Sequence, residues 1–421
     1  MTGVATMTAA ADKMAPTRRA WLGAAAGGAL QARSLLADAY SKPVKITGVE
    51  TIALEDPGKY NFTLVRVKTD AGVEGLGQAE SPALIIDAIV RYREGLEYLL
   101  KGENPLEVER LWQKMYHGAR HWGRRGIVIA AIGAVETALW DIAGKLANRP
   151  VAELVWRSFA SVKTPPQVKT RIRPYATVYL PGDNEREMRE RFQTAVDRGF
   201  RAVKLEEVPG GFANVDTATD VRVVRLIREI IGPDRELMID VQNVWNDVGT
   251  AVESCKAIEP YRIYFIEAPF APDNVEALKR LADSTPIRIA VGDWGFTTRF
   301  DYFDLMERGG VDVVQPSTVR SGGMAEILKV AEAAFRKGVA CIPHCWCHMI
   351  GVGAAVQLAA VVPNMPYIEY PVAFPNSPLI SELLVPALAP DKDGWIEVPR
   401  RPGLGFELNQ ELVKRYRVRP A

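Results

Sequence analysis

Four apolar, β-rich runs in this chain each end on or close to an acid or a histidine: LMIDV at Asp240, YFIEAP at Glu267, IAVGD at Asp293 and CIPHC at His344. Such runs read as buried parallel strands that each deliver one reactive side chain to a C-terminal end. Their spacing of about 25 to 27 residues is close to one strand-loop-helix-loop unit of an eight-stranded α/β barrel, where chemistry gathers at the C-terminal ends of the strands. Three successive strands ending in carboxylates point three hard oxygen donors at one place. That donor set suits Mg2+, which keeps open positions for a substrate.

The elements that position these groups follow from the patterning. VKITGVETIAL and NFTLVRVKTDAGVEGLGQAES carry strands, with Thr69-Asp70-Ala71-Gly72 as a hairpin turn. Helical patterns follow at 83–100, 105–118 and 126–147, so residues 44–163 read as an α+β domain. A linker, Thr164-Pro165-Pro166, leads into a barrel over 167–375. Its first strand is RPYATVYL, its second RAVKLE at 201–206, its sixth VDVVQPS at 311–317 and its eighth YIEYP at 367–371. Residues 376–421 hold strand and turn signals without another barrel unit and are expected to return to the first domain.

A net charge of +1 gives no reason to expect nucleic acid or an anionic membrane surface as a partner, so small-molecule chemistry is the better expectation. Three of the four cysteines, Cys341, Cys345 and Cys347, crowd into one strand and its loop, which argues against a disulfide framework. At the amino terminus, Thr17-Arg18-Arg19-Ala20-Trp21-Leu22-Gly23 is a twin-arginine pattern. A small-residue apolar stretch and the triplet Ala37-Asp38-Ala39 follow it, so residues 1–39 read as a removed export signal and the mature chain as periplasmic. The alternative is a basic leader on a cytoplasmic protein. No later segment approaches the ~20 uninterrupted apolar residues of a membrane span.

Taken jointly, the α+β domain, the AVKLE strand, the three strand-end acids, QP on the sixth strand, PH on the seventh, EYP on the eighth and a terminal PGLG resemble the mandelate racemase group of the enolase superfamily, from Val44 to Leu408. The resemblance implies a (β/α)7β modified TIM barrel beneath an N-terminal capping domain, with further copies of the chain as expected partners. It also implies a Mg2+ site at Asp240, Glu267 and Asp293, and a first step in which a base removes the α-proton of a metal-bound carboxylate to give a stabilised enediolate. By position, Lys204 matches the first lysine of the group's lysine-x-lysine strand, His344 its catalytic histidine and Glu369 its eighth-strand carboxyl.

Three positions depart from the pattern. Glu206 stands at the second lysine, Ser317 at the aspartate that supports the histidine, and Asp293 at a usual glutamate. Residues two apart on a strand share a face, so Lys204 and Glu206 both address the barrel interior. At roughly 5 Å and an effective dielectric of 20, each unit of charge there is worth about 3 kcal/mol. Glu206 is therefore expected to pair with Lys204, to hold a proton, or to join the metal shell. A protonated Glu206 could act as a general acid toward a leaving hydroxyl. Ser317 can hydrogen-bond His344 but brings no charge, which weakens the histidine as a base. The expected assignment is Lys204 as base and His344 as acid, although a related fold can run the same chemistry with the roles reversed. Asp293, one methylene shorter than glutamate, ligates only from a closer strand or through a water.

Substrate contacts are expected from Tyr60 and Asn61, from Arg124 in the His121–Arg125 stretch, from Ser317, and from Trp294, which with Trp245 and Trp346 follows a strand end. His344-Cys345-Trp346-Cys347-His348 lacks the second ligand pair of a zinc cluster, and His117 and His121 lack the glutamate of a zinc helix. The expected function is a Mg2+-dependent lyase that dehydrates an acid sugar, a carbon-oxygen hydro-lyase similar to galactonate dehydratases, with a small-molecule carboxylate as substrate. A racemase or epimerase needs two opposed bases, which Glu206 and Ser317 make poorer here. A silent carboxylate-binding protein is the alternative outside enzymes.

Overall fold

The computed structural model describes residues 42–58, 60–156, 168–180, 184–207, 216–372 and 377–419; the expected export signal and the Thr164-Pro165-Pro166 linker lie outside them. Three strands, β1 (Ile46–Asp56), β2 (Tyr60–Thr69) and β3 (Glu74–Ala79), form an antiparallel meander. Gly72 closes its second turn at φ 72°, a conformation glycine adopts without steric cost. Helices α1 (Ala83–Arg91), α2 (Leu96–Leu100), α3 (Val108–Ala119) and α4 (Ile127–Ala147) cover this sheet.

Helix α4 is long and apolar enough to cross a membrane, yet 94% of its apolar window is buried inside the protein. It is a core helix with two covered faces. Along β3 a Cβ at Gly75 or Gly77 would stand 2.0 or 1.8 Å from the carbonyls of Ala138 and Ala134, so only glycine lets strand and helix approach this closely. On its other side Glu136 accepts the backbone N–H groups of Met324 (2.7 Å) and Ala325 (2.9 Å), the start of a barrel helix, and the indole of Trp140 (2.7 Å). A buried carboxylate thereby satisfies donors that a helix start would otherwise leave orphaned.

The second unit is a parallel sheet of eight strands: β4 (Pro174–Leu180), β5 (Ala202–Glu207), β6 (Glu236–Asp240), β7 (Ile263–Glu267), β8 (Arg288–Val291), β9 (Val313–Val314), β10 (Ala340–Cys341) and β11 (Ile368–Pro371). The helices Glu185–Asp197, Thr217–Ile231, Val248–Ile258, Val275–Ala282, Arg299–Arg308, Met324–Lys337 and Met349–Ala359 alternate with them, which is the (β/α)7β barrel expected from the sequence. Neighbours pair in order from β4 to β10, and β11 pairs β4. The barrel floor is a layer of Tyr175, Ala202, Met238, Phe265, Ala290 and Val313, one from each of the first six strands, with Ile342 just past the seventh. Period-two alternation then sends residues two further along, among them Asp240, Glu267 and His344, to the same interior nearer the mouth, while register keeps Thr177 and Lys204 level with Met238.

The carboxyl-terminal segment ties the units together. Arg417–Val418 pairs antiparallel with β1, and Ile396–Glu397 pairs with Arg171–Ile172 below the barrel. Leu404 donates its N–H to Asp141 of α4 (2.9 Å), whose other oxygen accepts from Leu76 (3.1 Å).

Candidate active site

Asp240, Glu267 and Asp293 end or just follow β6, β7 and β8, and each brings one carboxylate oxygen within 4.8 Å of the other two. All three are buried. The shorter Asp293 reaches because Gly292 before it adopts φ 130°, where a side chain would run into Tyr302. Burial raises Asp240 to about 7, Glu267 to about 8 and Asp293 to about 7, in each case against the pull of Lys204. Asp293 Oδ2 is buried and makes no hydrogen bond. An orphaned oxygen in a knot of hard donors that resist ionisation together is the arrangement a divalent cation relieves, so the residues fit Mg2+.

Lys204 lies beneath this triad. Its Nζ donates to both oxygens of Glu267 at 2.9 Å, and stands 3.0 Å from Glu369 Oε1 and 3.6 Å from Asp240 Oδ2. Burial alone would lower its pKa, but Glu267, Glu369, Tyr175 and Asp240 together hold it well above the ordinary lysine value. Lys204 is here an ammonium with its protons engaged by carboxylates, an arrangement that does not favour the role of base expected from the sequence. Register explains its depth, since Lys204 pairs with Met238 of the floor layer while Glu206 pairs with Asp240 of the triad.

Glu206 thus stands at the level of the triad. Gln242 bridges them, donating to Glu206 Oε1 at 3.2 Å and to Asp240 Oδ2 at 3.1 Å. The bridge depends on a left-handed backbone at Gln242 (φ 52°), sparsely populated strain of the kind held at functional sites. Glu206 Oε2 is buried without a partner, and burial pushes the group well above the usual carboxylate range, opposed by Lys204 and reinforced by Asp240, Glu369 and Glu267. Of the three fates open to Glu206, pairing with Lys204 is not the one observed.

His344 sits between Ser317, whose Oγ is 3.2 Å from Nδ1, and Glu369, whose Oε2 is 3.9 Å from Nε2. Burial lowers its pKa to about 4; Glu369 and Glu80 oppose the shift, and Arg320 and Lys204 reinforce it. A ring kept neutral by burial has a lone pair to offer, so these surroundings favour taking a proton over the expected role as the acid. Glu369 is fixed by Thr177 Oγ1 (2.6 Å) and the Cys345 N–H (2.9 Å). Burial would raise it, yet Lys204, His344 and these donors hold it down at about 2.

The expected substrate contacts divide. Tyr60 is half-buried and hydrogen-bonds the Cys347 thiol, with Arg191 and Glu206 close enough to act on it. Trp294 is 44% exposed and carries the Arg320 guanidinium 3.9 Å over its ring. Asn61 and Arg124 are corrected: Asn61 is an exposed rung opposite Glu55 and Arg124 an exposed loop residue, both outside the buried cluster. Trp245 is a buried wall.

Sequence reasoning missed Glu80 and His348. Glu80, next to the end of β3, ion-pairs with Arg320 at 2.6 Å and stands 3.4 Å from His348 Nε2. An acid at the end of an apolar capping strand was the available signal for the first. The second was visible as a histidine four residues beyond His344, but it was weighed there only as a zinc ligand.

Residues 39–155 match the N-terminal domain of the mandelate racemase / muconate lactonizing enzyme family, and residues 187–412 match its enolase C-terminal domain-like family. Among curated proteins the chain is 29% identical to an arabinonate dehydratase of Saccharolobus solfataricus over 88% of this chain and 95% of the relative. It is 32% identical to a D-galactonate dehydratase of Ralstonia pickettii over 88% of this chain and 94% of that one. Among solved structures it is similar to the 3,6-anhydro-D-galactonate cycloisomerase of Zobellia galactanivorans, with a TM-score of 0.79 and 28% identity over 89% of this chain and 100% of the other.

Proposed function

The chain belongs to the mandelate racemase / muconate lactonizing enzyme group of the enolase superfamily, and from that premise we propose that it is a Mg2+-dependent hydro-lyase that removes water from an acid sugar. The observation that carries this reading is a buried triad that shares the barrel interior with His344, which is hydrogen-bonded to Ser317, and with Glu206, whose Oε2 has no partner. Relatives named as arabinonate and galactonate dehydratases support the substrate class.

A cation held by Asp240, Glu267 and Asp293 would supply positive charge and open positions for a substrate carboxylate, which acidifies the neighbouring C–H. Lys204 keeps Glu267 and Glu369 oriented and brings a positive charge between them. The Ser317 hydroxyl can accept from Nδ1 of His344, leaving the Nε2 lone pair to take the α-proton. The resulting imidazolium meets Glu369, which stays ionised. Glu206, held by Gln242 and bearing a proton on an otherwise unpartnered carboxyl, can deliver it to the departing β-hydroxyl. One proton leaves carbon and one joins the hydroxyl, so the balance is loss of water and an enol that becomes a 2-keto acid.

Export by the twin-arginine route is also part of this reading. Its support is the Arg18-Arg19 pattern and the start of the capping-domain match at residue 39, next to the cleavage-like triplet.

The test is a panel of acid sugars with Mg2+, followed both as keto-acid formation and as exchange of the α-proton in D2O. Keto acid that disappears with chelator is the expected result. Exchange without keto acid would make the protein a racemase or epimerase, and neither signal would leave a binding protein.

A further inference from the structure

His344 has a partner at Nδ1 that carries no charge. An imidazole that must become a cation in a buried site needs negative charge nearby, because desolvation disfavours the charged form. Glu369 meets that need from the barrel. The second source lies outside it.

Glu80 belongs to the capping domain; two barrel groups hold it at the mouth and a third faces it. Its backbone N–H donates to the Val319 carbonyl at 3.2 Å. Its Oε1 accepts from Arg320 at 2.6 Å, and the guanidinium is flattened on Trp294. Its Oε2 faces His348 Nε2 at 3.4 Å. The tautomer of His348 follows from its neighbours: Ile350 N–H donates to Gln78 Oε1 at 3.1 Å, so the Gln78 amide nitrogen, 3.2 Å away, donates to Nδ1 and the ring hydrogen sits on Nε2, toward Glu80. The same two loops hold His344, since Ser317 contacts its ring and Thr318 N–H donates to its carbonyl at 3.1 Å. A capping-domain carboxylate is thus tied to the first of these segments through Val319 and Arg320, and faces His348 of the second at 3.4 Å.

We propose that Glu80 is a positioning residue for His344: its carboxylate supplies the negative charge that Ser317 does not, so the imidazolium is stabilised while the capping domain is docked on the barrel mouth. The charged groups facing His344 are Glu369 and Glu80, which favour the cation, and Arg320 and Lys204, which oppose it. Arg320 therefore both orients Glu80 and partly cancels it, which gives the two side chains opposite signs in a measurement.

The inference uses the role given to His344 above, but its test needs no substrate and can fail independently of that role. The chain has four histidines, so ring-labelled histidine spectra of the Mg2+-supplemented protein resolve each titration, with exposed His117 and His121 as controls. Ser317→Asp places a carboxylate against Nδ1 and is expected to raise the His344 midpoint by about one unit or more, into an accessible range. In that background Glu80→Gln is expected to lower the midpoint by about half a unit or more and Arg320→Gln to raise it. An unmoved midpoint in Glu80→Gln, or shifts of one sign in both variants, would overturn the proposal. Once a substrate is known, Glu80→Gln alone is expected to slow α-proton exchange about tenfold at unchanged KM, and Ser317→Asp to restore it; a loss that Ser317→Asp leaves in place would assign Glu80 a structural role instead.

Discussion

The Nζ of Lys204 lies 2.9 Å from each carboxylate oxygen of Glu267, with Glu369 3.0 Å away on the opposite flank. Five buried carboxyl groups, Asp240, Glu267, Asp293, Glu206 and Glu369, surround this ammonium among the described residues. Removing it leaves buried acids without a counter-charge, a loss typically worth about 3–5 kcal/mol. Those acids escape by protonation, so the sign with pH is determined. Their folded pKa values rise, and the stability they allow is present at low pH and lost as pH climbs through the raised values. Lys204→Met is expected to be less stable than the parent at both pH values, with a larger deficit at pH 8 than at pH 5.5, where Glu369 is ionised but the triad still holds protons, and with Mg2+ recovering part of the difference. Denaturant unfolding at both pH values checks this; a loss independent of pH would contradict the caged-ammonium account.

Metal binding carries the same linkage. Asp240, Glu267 and Asp293 are held at about 7, 8 and 7, so near neutrality the free site keeps protons that a cation must displace. Mg2+ affinity is expected to rise as pH rises from 6 to 8 and to level off above that. Calorimetry in buffers of different ionisation heat should show more protons released per ion at pH 6.5 than at 8.5. Asp240→Asn and Glu267→Gln are expected to weaken binding at every pH, and unchanged affinity in both would remove the triad as the site.

The catalytic strands were legible because an apolar run with an acid at its end is a local pattern, and α/β barrels concentrate chemistry at that end. The level of Lys204 was not. Period two puts residues 204 and 206 on one face, but which of them reaches the mouth depends on register with β6, a relation between strands that no single segment carries. Glu80 and His348 were hidden for a related reason. Gln78 and His348 meet across 270 positions, through the docking of one domain on another, and each segment alone reads as a strand end or a loop. Asn61 and Arg124 failed in the other direction, since proximity in sequence to a strand start or an aromatic loop says nothing about which way a side chain faces.

Export is a separate question of chain processing. If the twin-arginine pattern is read by the cell, the mature protein begins near Tyr40, beyond the Ala37-Asp38-Ala39 triplet. N-terminal sequencing of the protein from a periplasmic fraction checks it. Substituting Arg18 and Arg19 by lysine is expected to leave the precursor in the cytoplasm, and an intact amino terminus in a wholly cytoplasmic pool would refute export.

The division of labour between His344 and Glu206 makes the last prediction. Proton removal from carbon precedes loss of the hydroxyl, and exchange in D2O reads the first step while keto-acid formation reads both. His344 is uncharged above its value of about 4, so at saturating Mg2+ exchange should be flat from pH 6 to 8 and fall off only at lower pH, where the ring holds a proton of its own. His344→Ala is expected to abolish exchange and product together. Glu206→Gln keeps the side-chain shape and its hydrogen-bonding reach to Gln242 but has no acidic proton to give, so exchange should persist while keto-acid formation falls by about 10²–10⁴. Lys204→Met serves as the third arm: as a caged ammonium it should reduce both signals in the same proportion. Abolition of exchange and product in that variant, with His344→Ala still exchanging, would return the role of base to the lysine.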